Sequence, residues 1–98
     1  MLKYRKENFN DAMLHLRKND SDLVALDISD QELSDENLLE LVKVMETNTQ
    51  VKRIRMNSCN IDDKKVKILS KLSAIEVLSL RANKISDKGL ALLAKMIS

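Results

Sequence analysis

The sequence predicts an α/β fold in which short strands alternate with helices and stack into a curved parallel sheet. Three stretches share four apolar positions at the same offsets, with Gln, Cys or Asn at a fifth, and they are Leu23–Leu33, Val51–Ile61 and Ile75–Ile85. They begin 28 and then 24 residues apart, a period typical of units that each contain one strand, one turn and one helix. Such units bury their apolar residues against neighbouring units. One face of the sheet is then left bare.

The first helix is predicted over residues 4–19, ahead of the first repeated stretch. Its apolar residues recur at helical spacing and are Phe9, Ala12, Met13 and Leu16. No strand pattern precedes this helix, so we expect the helix half of a truncated repeat that covers the end of the stack. The single domain 1–98 then divides into an N-terminal capping helix at 1–22 and three repeats, which are 23–50, 51–74 and 75–98.

Each internal repeat is predicted to place a strand before a capped helix. The strand cores are 24–28, 52–56 and 76–80. The helices begin at an oxygen-bearing residue followed by aspartate, in the pairs Ser34-Asp35, Asp62-Asp63 and Ser86-Asp87. The first residue can accept from the free N–H groups of the opening turn, and the aspartate complements the helix dipole. The last helix should turn Leu90, Leu93, Ala94 and Ile97 towards the sheet. Because the middle repeat is shorter than the first and lacks the Asn-Thr pair that follows the helix of the first, we expect its helix to be shorter.

Composition limits the classes of function and the expected compartment. The net charge is +2, with 17 basic and 15 acidic residues interspersed. The sequence has no continuous basic stripe, so nucleic-acid binding is not predicted. One cysteine cannot form an internal disulfide, which fits a reducing compartment. The N-terminus is polar from its third residue, and no apolar run approaches the ~18–20 residues that span a bilayer. We expect a cytoplasmic protein with no membrane partner, or alternatively one exported into a host cell without a classical signal peptide.

Catalytic and cofactor sites are not expected in this chain. Cys59 would need a nearby base to act as a nucleophile, and the only histidine, His15, is more than one repeat away. His15 also has no cysteine or histidine at metal-ligand spacing. A single glycine excludes a glycine-rich phosphate loop. The sequence therefore predicts a protein that is not an enzyme and uses neither a metal nor a cofactor.

The repeats resemble the leucine-rich-repeat (LRR) family, in particular its ribonuclease-inhibitor-like subfamily. The resemblance lies in Asn48-Thr49-x-Val51-x-x-Ile54-x-Met56 and in Leu78-x-Leu80-x-x-Asn83-x-Ile85-Ser86-Asp87-x-Gly89. It implies a right-handed solenoid with the sheet on the concave side and helices on the convex side. Members generally bind proteins through the concave sheet, among them inhibitors, immune sensors and bacterial effectors. A chain this short suggests an effector-type member.

This chain departs from the family pattern at two sets of positions. Gln31 and Cys59 replace the asparagine that stands at position 83 in the third repeat. That asparagine typically turns inward and binds backbone groups at the strand ends, which a thiol can do only weakly. Asn37 and Lys65 stand where the third repeat has Gly89.

The candidate binding residues are those that alternate with the apolar ones along the strands. Side chains of a strand point to opposite faces in turn, so these residues lie on the bare face. Stacking should align Asp27, Arg55 and Ser79 in one row, and Ser29, Asn57 and Arg81 in the next. The candidate protein-binding residues are Asp27, Ser29, Arg53, Arg55, Asn57, Val77, Ser79 and Arg81.

The favoured function is a non-catalytic module that binds a partner protein through the concave sheet, for example by masking an enzyme that it inhibits. Three arginines on this face suit a partner with acidic or carbonyl-rich features. The alternative is a self-associating structural adaptor, or part of a larger LRR scaffold. The open edge of the third predicted strand motivates this alternative and predicts weak self-association.

Overall fold

The computed structural model describes residues 3–96, and within them strands and helices alternate throughout. The strands are β1 Arg5–Lys6, β2 Ala25–Asp27, β3 Arg53–Arg55 and β4 Val77–Ser79. The helices are α1 Phe9–Arg17, α2 Asp35–Met45, α3 Asp63–Leu69 and α4 Asp87–Met96. Ile97, which we predicted to face the core, lies outside the described residues. None of the helices in 3–96 is long and apolar enough to cross a membrane.

The strands form one parallel sheet in the order β1-β2-β3-β4. Equivalent residues of successive repeats lie side by side, so that Leu26 pairs with Ile54 and Ile54 with Leu78. The helices pack against one another in the same order, α1 on α2, α2 on α3 and α3 on α4. Strands and helices thus form two layers, and the prediction of a solenoid with a parallel sheet on one side and helices on the other is confirmed.

The N-terminal unit differs from the prediction of a lone capping helix over residues 4–19. The helix begins at Phe9, and Arg5–Lys6 form a strand that runs parallel to β2. Asn8 sets this boundary because its backbone is extended and its side chain accepts from the Asp11 N–H, at 2.8 Å. The sequence pattern missed β1 because a two-residue strand is too short to show a period.

The predicted starts of α2 and α3 are confirmed by the capping residues that the structure shows there. Ser34 caps α2 and forms a reciprocal pair of hydrogen bonds with Asn37. Asp62 caps α3 by accepting from the Lys65 N–H, at 3.0 Å. Helix α3 has 7 residues against 11 in α2, which confirms that the helix of the middle repeat is shorter than that of the first.

The hydrophobic core is closed at one end of the stack and open at the other. Leu26 and Ile54, on the central strands, are fully buried. Leu78 and Leu80 occupy the same inward positions in β4 and its extension, but they are only half-buried against the core. At the opposite end the positions level with Leu26 and Ile28 are Arg5 and Glu7. One end of the described stack is therefore polar and the other apolar.

Candidate functional site: the concave face

The concave face is the side of the sheet that the helices leave uncovered. Its side chains come from Tyr4 and Lys6, from Ala25 and Asp27, from Arg53 and Arg55, and from Val77, Ser79 and Arg81. The strand register places Asp27 beside Arg55 and Arg55 beside Ser79. The first predicted row is therefore formed as expected. Val77 is 38% exposed, which agrees with its prediction as an outward residue.

The three arginines of the concave face make no ion pair with a carboxylate in the described part of the chain. Arg55 and Arg81 are exposed and Arg53 is half-buried. None of them takes part in the ion pairs found among residues 3–96. Asp27, the nearest acidic neighbour by register, instead accepts from the Ser29 N–H through Oδ1, at 2.9 Å. The arginine charges are therefore available to a partner.

Tyr4 belongs to this face, although the sequence placed it at the start of a helix. The Arg55 guanidinium carbon lies 3.6 Å from the centre of the Tyr4 ring. Tyr4 is level with Ala25 of the neighbouring strand β2. The side chains of Tyr4 and Arg55 therefore meet across β2. Ala25, which lies on this face between them, is only 2% exposed. An exposed contact of this kind is worth about 0.5–1 kcal/mol and restrains the arginine.

In the second predicted row, Ser29 and Asn57 serve the fold more than the surface, whereas the Arg81 side chain is exposed. Ser29 is 6% exposed, so the expectation of an accessible binding residue is wrong for it. Its hydroxyl accepts from the Asn57 N–H, at 2.9 Å. Asn57 Oδ1 in turn accepts from the Arg81 N–H and the Ser79 hydroxyl, at 2.8 and 2.7 Å. These bonds bridge successive turns after the strands, where the regular backbone pairing ends, and this is why the Ser29 and Asn57 side chains are drawn inward.

Below the concave face, one residue of each repeat ties that repeat to the one before it. Gln31 donates to the Glu7 carbonyl, Cys59 to that of Ile28 and Asn83 to that of Met56. These three carbonyls occupy equivalent positions in successive units. Burial raises the pKa of the Cys59 thiol, and the backbone N–H groups of Gln31 and Asp30 oppose this shift. Cys59 is thus a buried thiol with a structural hydrogen bond, as its position in the repeat predicted.

His15 is engaged by a carboxylate at the N-terminal end of the stack and is not paired with Cys59. Its Nδ1 lies 2.6 Å from Glu7 Oε1, and the Glu7 side chain is 8% exposed. The other oxygen of Glu7 is buried and has no hydrogen-bond partner among residues 3–96. The described residues contain no group of three or more His, Cys, Asp or Glu side chains that could hold a metal ion.

An apolar groove of about 540 Å³ lies beside β4, at the C-terminal end of the described stack. Its apolar lining includes Leu78, Leu80, Ile85, Leu90 and Leu93. Leu90 is 55% exposed. The side chains that line the groove are therefore exposed, whereas the equivalent side chains of earlier repeats are buried against the next unit.

Comparison with known proteins supports the fold. No protein-family model matches the sequence, and no curated protein shows significant similarity to it. Eight chains of solved structures match, and one of them is the C-terminal domain of tropomodulin from Caenorhabditis elegans. That match has a TM-score of 0.73 at 18% identity and covers 93% of this chain and 57% of the tropomodulin chain. This chain therefore spans little more than half the length of that domain. At this identity the likeness concerns the fold alone, and the fold is that of a leucine-rich-repeat-type solenoid.

Proposed function

We propose that this chain is a non-catalytic module that binds a partner protein through its concave face. The observation that carries the proposal is the set of Arg53, Arg55 and Arg81 on an uncovered sheet, with no carboxylate paired to them among residues 3–96. Parallel sheets are almost always covered on both faces, and the helices here cover only one. The uncovered face is the natural place for a partner.

The chemistry of the arginines describes the partner surface. A guanidinium presents a planar fork of N–H donors that pairs with a carboxylate in two-point geometry and also binds carbonyl oxygens. Arginine is enriched among the interface residues whose removal costs most affinity. A typical stable interface buries ~800 Å² on each partner. A partner that lies across the concave face would itself be masked, which is how such a module could inhibit an enzyme.

The proposal is tested by charge reversal on the concave face and, as a control, on the helix side of the molecule. Arg55→Glu should lower the affinity for a protein captured from the cell extract by more than about tenfold, which corresponds to ~1.4 kcal/mol. Lys43→Glu, on the exposed side of α2, is the matched control and should leave capture unchanged. Circular dichroism should show equal folding of both variants. Capture that is lost in Lys43→Glu but kept when Arg53, Arg55 and Arg81 are all reversed would contradict the concave-face proposal.

A second candidate function rests on the groove beside β4. An apolar groove next to a strand edge suits another repeat of a larger scaffold, or a second copy of this chain. Leu90→Arg would place a charge in this groove without touching the concave face. If the groove mediates self-association, sedimentation should show a concentration-dependent rise in mass that Leu90→Arg abolishes. An unchanged mass up to millimolar concentration would rule out self-association through this end.

A further inference from the structure

We infer that the concave face recognises an extended acidic segment whose carboxylates occur on alternate residues, with Tyr4 and Arg55 as its anchor. This inference rests on the proposed function and specifies the chemistry of the partner. It depends on the charge of the face, the spacing of its arginines and the contact that holds one of them in place.

The charge of the concave face exceeds what the whole chain would suggest. The chain carries a net charge of only +2. On this face, however, the four cations of Lys6, Arg53, Arg55 and Arg81 stand against two carboxylates, those of Asp27 and Asp30. Lys6 has a partner in Asp30, at 3.4 Å, in an exposed pair that contributes little. The one carboxylate of Asp27, whose Oδ1 accepts from the Ser29 N–H, can offset only one of the three arginine charges, so the face keeps an excess of positive charge. The surface of the partner that contacts this face must therefore be negatively charged.

The spacing of the arginines matches an extended chain. Arg53 and Arg55 are two residues apart on β3, so their side chains leave the same face about 6.6 Å apart. An extended peptide presents every second side chain at the same interval. A Glu-x-Glu or Asp-x-Asp segment that runs between β2 and β3 can therefore place one carboxylate near each arginine, with the Arg55 guanidinium reached over β2, where Tyr4 contacts it. Adjacent acidic residues would point one carboxylate away from the sheet.

Tyr4 turns Arg55 into a pre-positioned group. The ring covers one face of the guanidinium, and the N–H groups at the edge of the guanidinium remain accessible because Arg55 is exposed. A side chain that is already restrained loses less conformational freedom when it binds. Tyr4 is therefore a positioning residue, and its aromatic ring should matter more than its hydroxyl group.

The test uses three fluorescein-labelled peptides of equal length and measures their binding by fluorescence anisotropy. The first alternates Ser and Glu, the second has the same composition in Ser-Ser-Glu-Glu blocks, and the third alternates Ser and Gln. The alternating acidic peptide should bind at least about fivefold more tightly than the block peptide, and the Gln peptide should not bind. All measurements use one low ionic strength, because exposed charges are screened by salt.

Variants of the anchor pair provide the matched controls. Tyr4→Phe keeps the ring and should retain affinity within about twofold, whereas Tyr4→Leu should lose about threefold, the equivalent of an exposed cation–π contact. Arg55→Lys keeps the charge but loses the fork and should weaken binding by about fivefold or more. Thermal melting should show that all three variants remain folded.

Several results would overturn the inference. Equal binding of the alternating and block peptides would remove the spacing argument, and full affinity in Tyr4→Leu would remove the anchor. Tighter binding of an oligothymidylate of equal charge would assign the face to nucleic acid. If Arg55→Glu abolishes capture of the cellular partner but the alternating peptide fails to compete with it, the inference fails while the proposed function stands. If capture is unchanged when Arg53, Arg55 and Arg81 are all reversed, the proposed function itself fails.

Discussion

The residues that join one repeat to the next show how side-chain chemistry changes along a repeated position. Asn83 accepts from two backbone N–H groups, those of Cys59 and Ile61, each at 2.9 Å, and it also donates to the Met56 carbonyl. Cys59 donates to the Ile28 carbonyl, and its sulfur is only a weak acceptor for the backbone N–H groups of Gln31 and Asp30. Gln31 both accepts and donates with its longer side chain. The same position thus stabilises each junction to a different degree.

This difference predicts an order of stability effects. Asn83→Ala should lower the free energy of unfolding by about 3 kcal/mol, because it leaves two backbone N–H groups without an acceptor. Cys59→Ala should lower it by only about 1 kcal/mol, because the thiol makes only weak hydrogen bonds, to the carbonyls of Ile28 and Asn57. Urea unfolding followed by circular dichroism measures both. A larger loss in Cys59→Ala than in Asn83→Ala would contradict the roles assigned to these side chains.

At the level of elements, the start of α4 is docked onto the start of α3 by a carboxylate. Asp63, in the first turn of α3, accepts from the backbone N–H of Ser86, at 2.8 Å, and from its hydroxyl group. These hydrogen bonds, that of the hydroxyl first, lower the pKa of the Asp63 carboxyl. The position next to this carboxylate is Gly89, where a side chain would collide with it. The glycine that distinguishes the third repeat from Asn37 and Lys65 is therefore explained by a contact between helices.

Gly89→Ala should destabilise the protein even though alanine favours helices over glycine. A Cβ atom at this position would lie 2.5 Å from Asp63 Oδ1 and 2.6 Å from Ile85 Cγ2. Relieving this overlap should cost about 1–3 kcal/mol of unfolding free energy, more than the ~1 kcal/mol of helix propensity returns.

A double-mutant cycle with Asp63→Ala isolates the cause of the Gly89 effect. Removing the carboxylate should reduce the cost of Gly89→Ala, because one of the two colliding atoms is gone. Thermal or urea unfolding of the four proteins measures the coupling. Additive effects would show that Asp63 is not the obstacle.

At the scale of the whole molecule, the two ends of the described stack are chemically different. The inward positions of the first strand are Arg5 and Glu7, and His15 pairs with Glu7 there, so this end is polar. The inward positions of the last strand and its extension are Leu78 and Leu80, which are half-buried. Each repeat buries its apolar side chains only against its neighbours. Apolar side chains at the end of the stack are therefore less buried than those in the middle.

The burial gradient predicts a gradient in mutational cost. Ile54→Ala, in the centre of the sheet, should lower the free energy of unfolding by about 2–5 kcal/mol, since the side chain is fully buried. Leu80→Ala should cost less, about 1–2 kcal/mol, because part of its surface already meets solvent. The comparison is made by urea unfolding at one temperature. A cost at Leu80 equal to that at Ile54 would indicate that the apolar end is covered in solution.

The sequence alone determined the repeat, the strand register and the face on which the arginines stand, because these follow from short-range periodicity. The alignment of Asp27, Arg55 and Ser79 needed only the alternation of side chains and the constant offset between repeats. Contacts between units decided the rest. β1 forms because the edge of β2 offers its backbone groups, and Tyr4 reaches the concave face only through that pairing. Ser29 is buried because the neighbouring repeat binds its hydroxyl. No pattern within one repeat contains these contacts, since each exists only once two repeats are packed together.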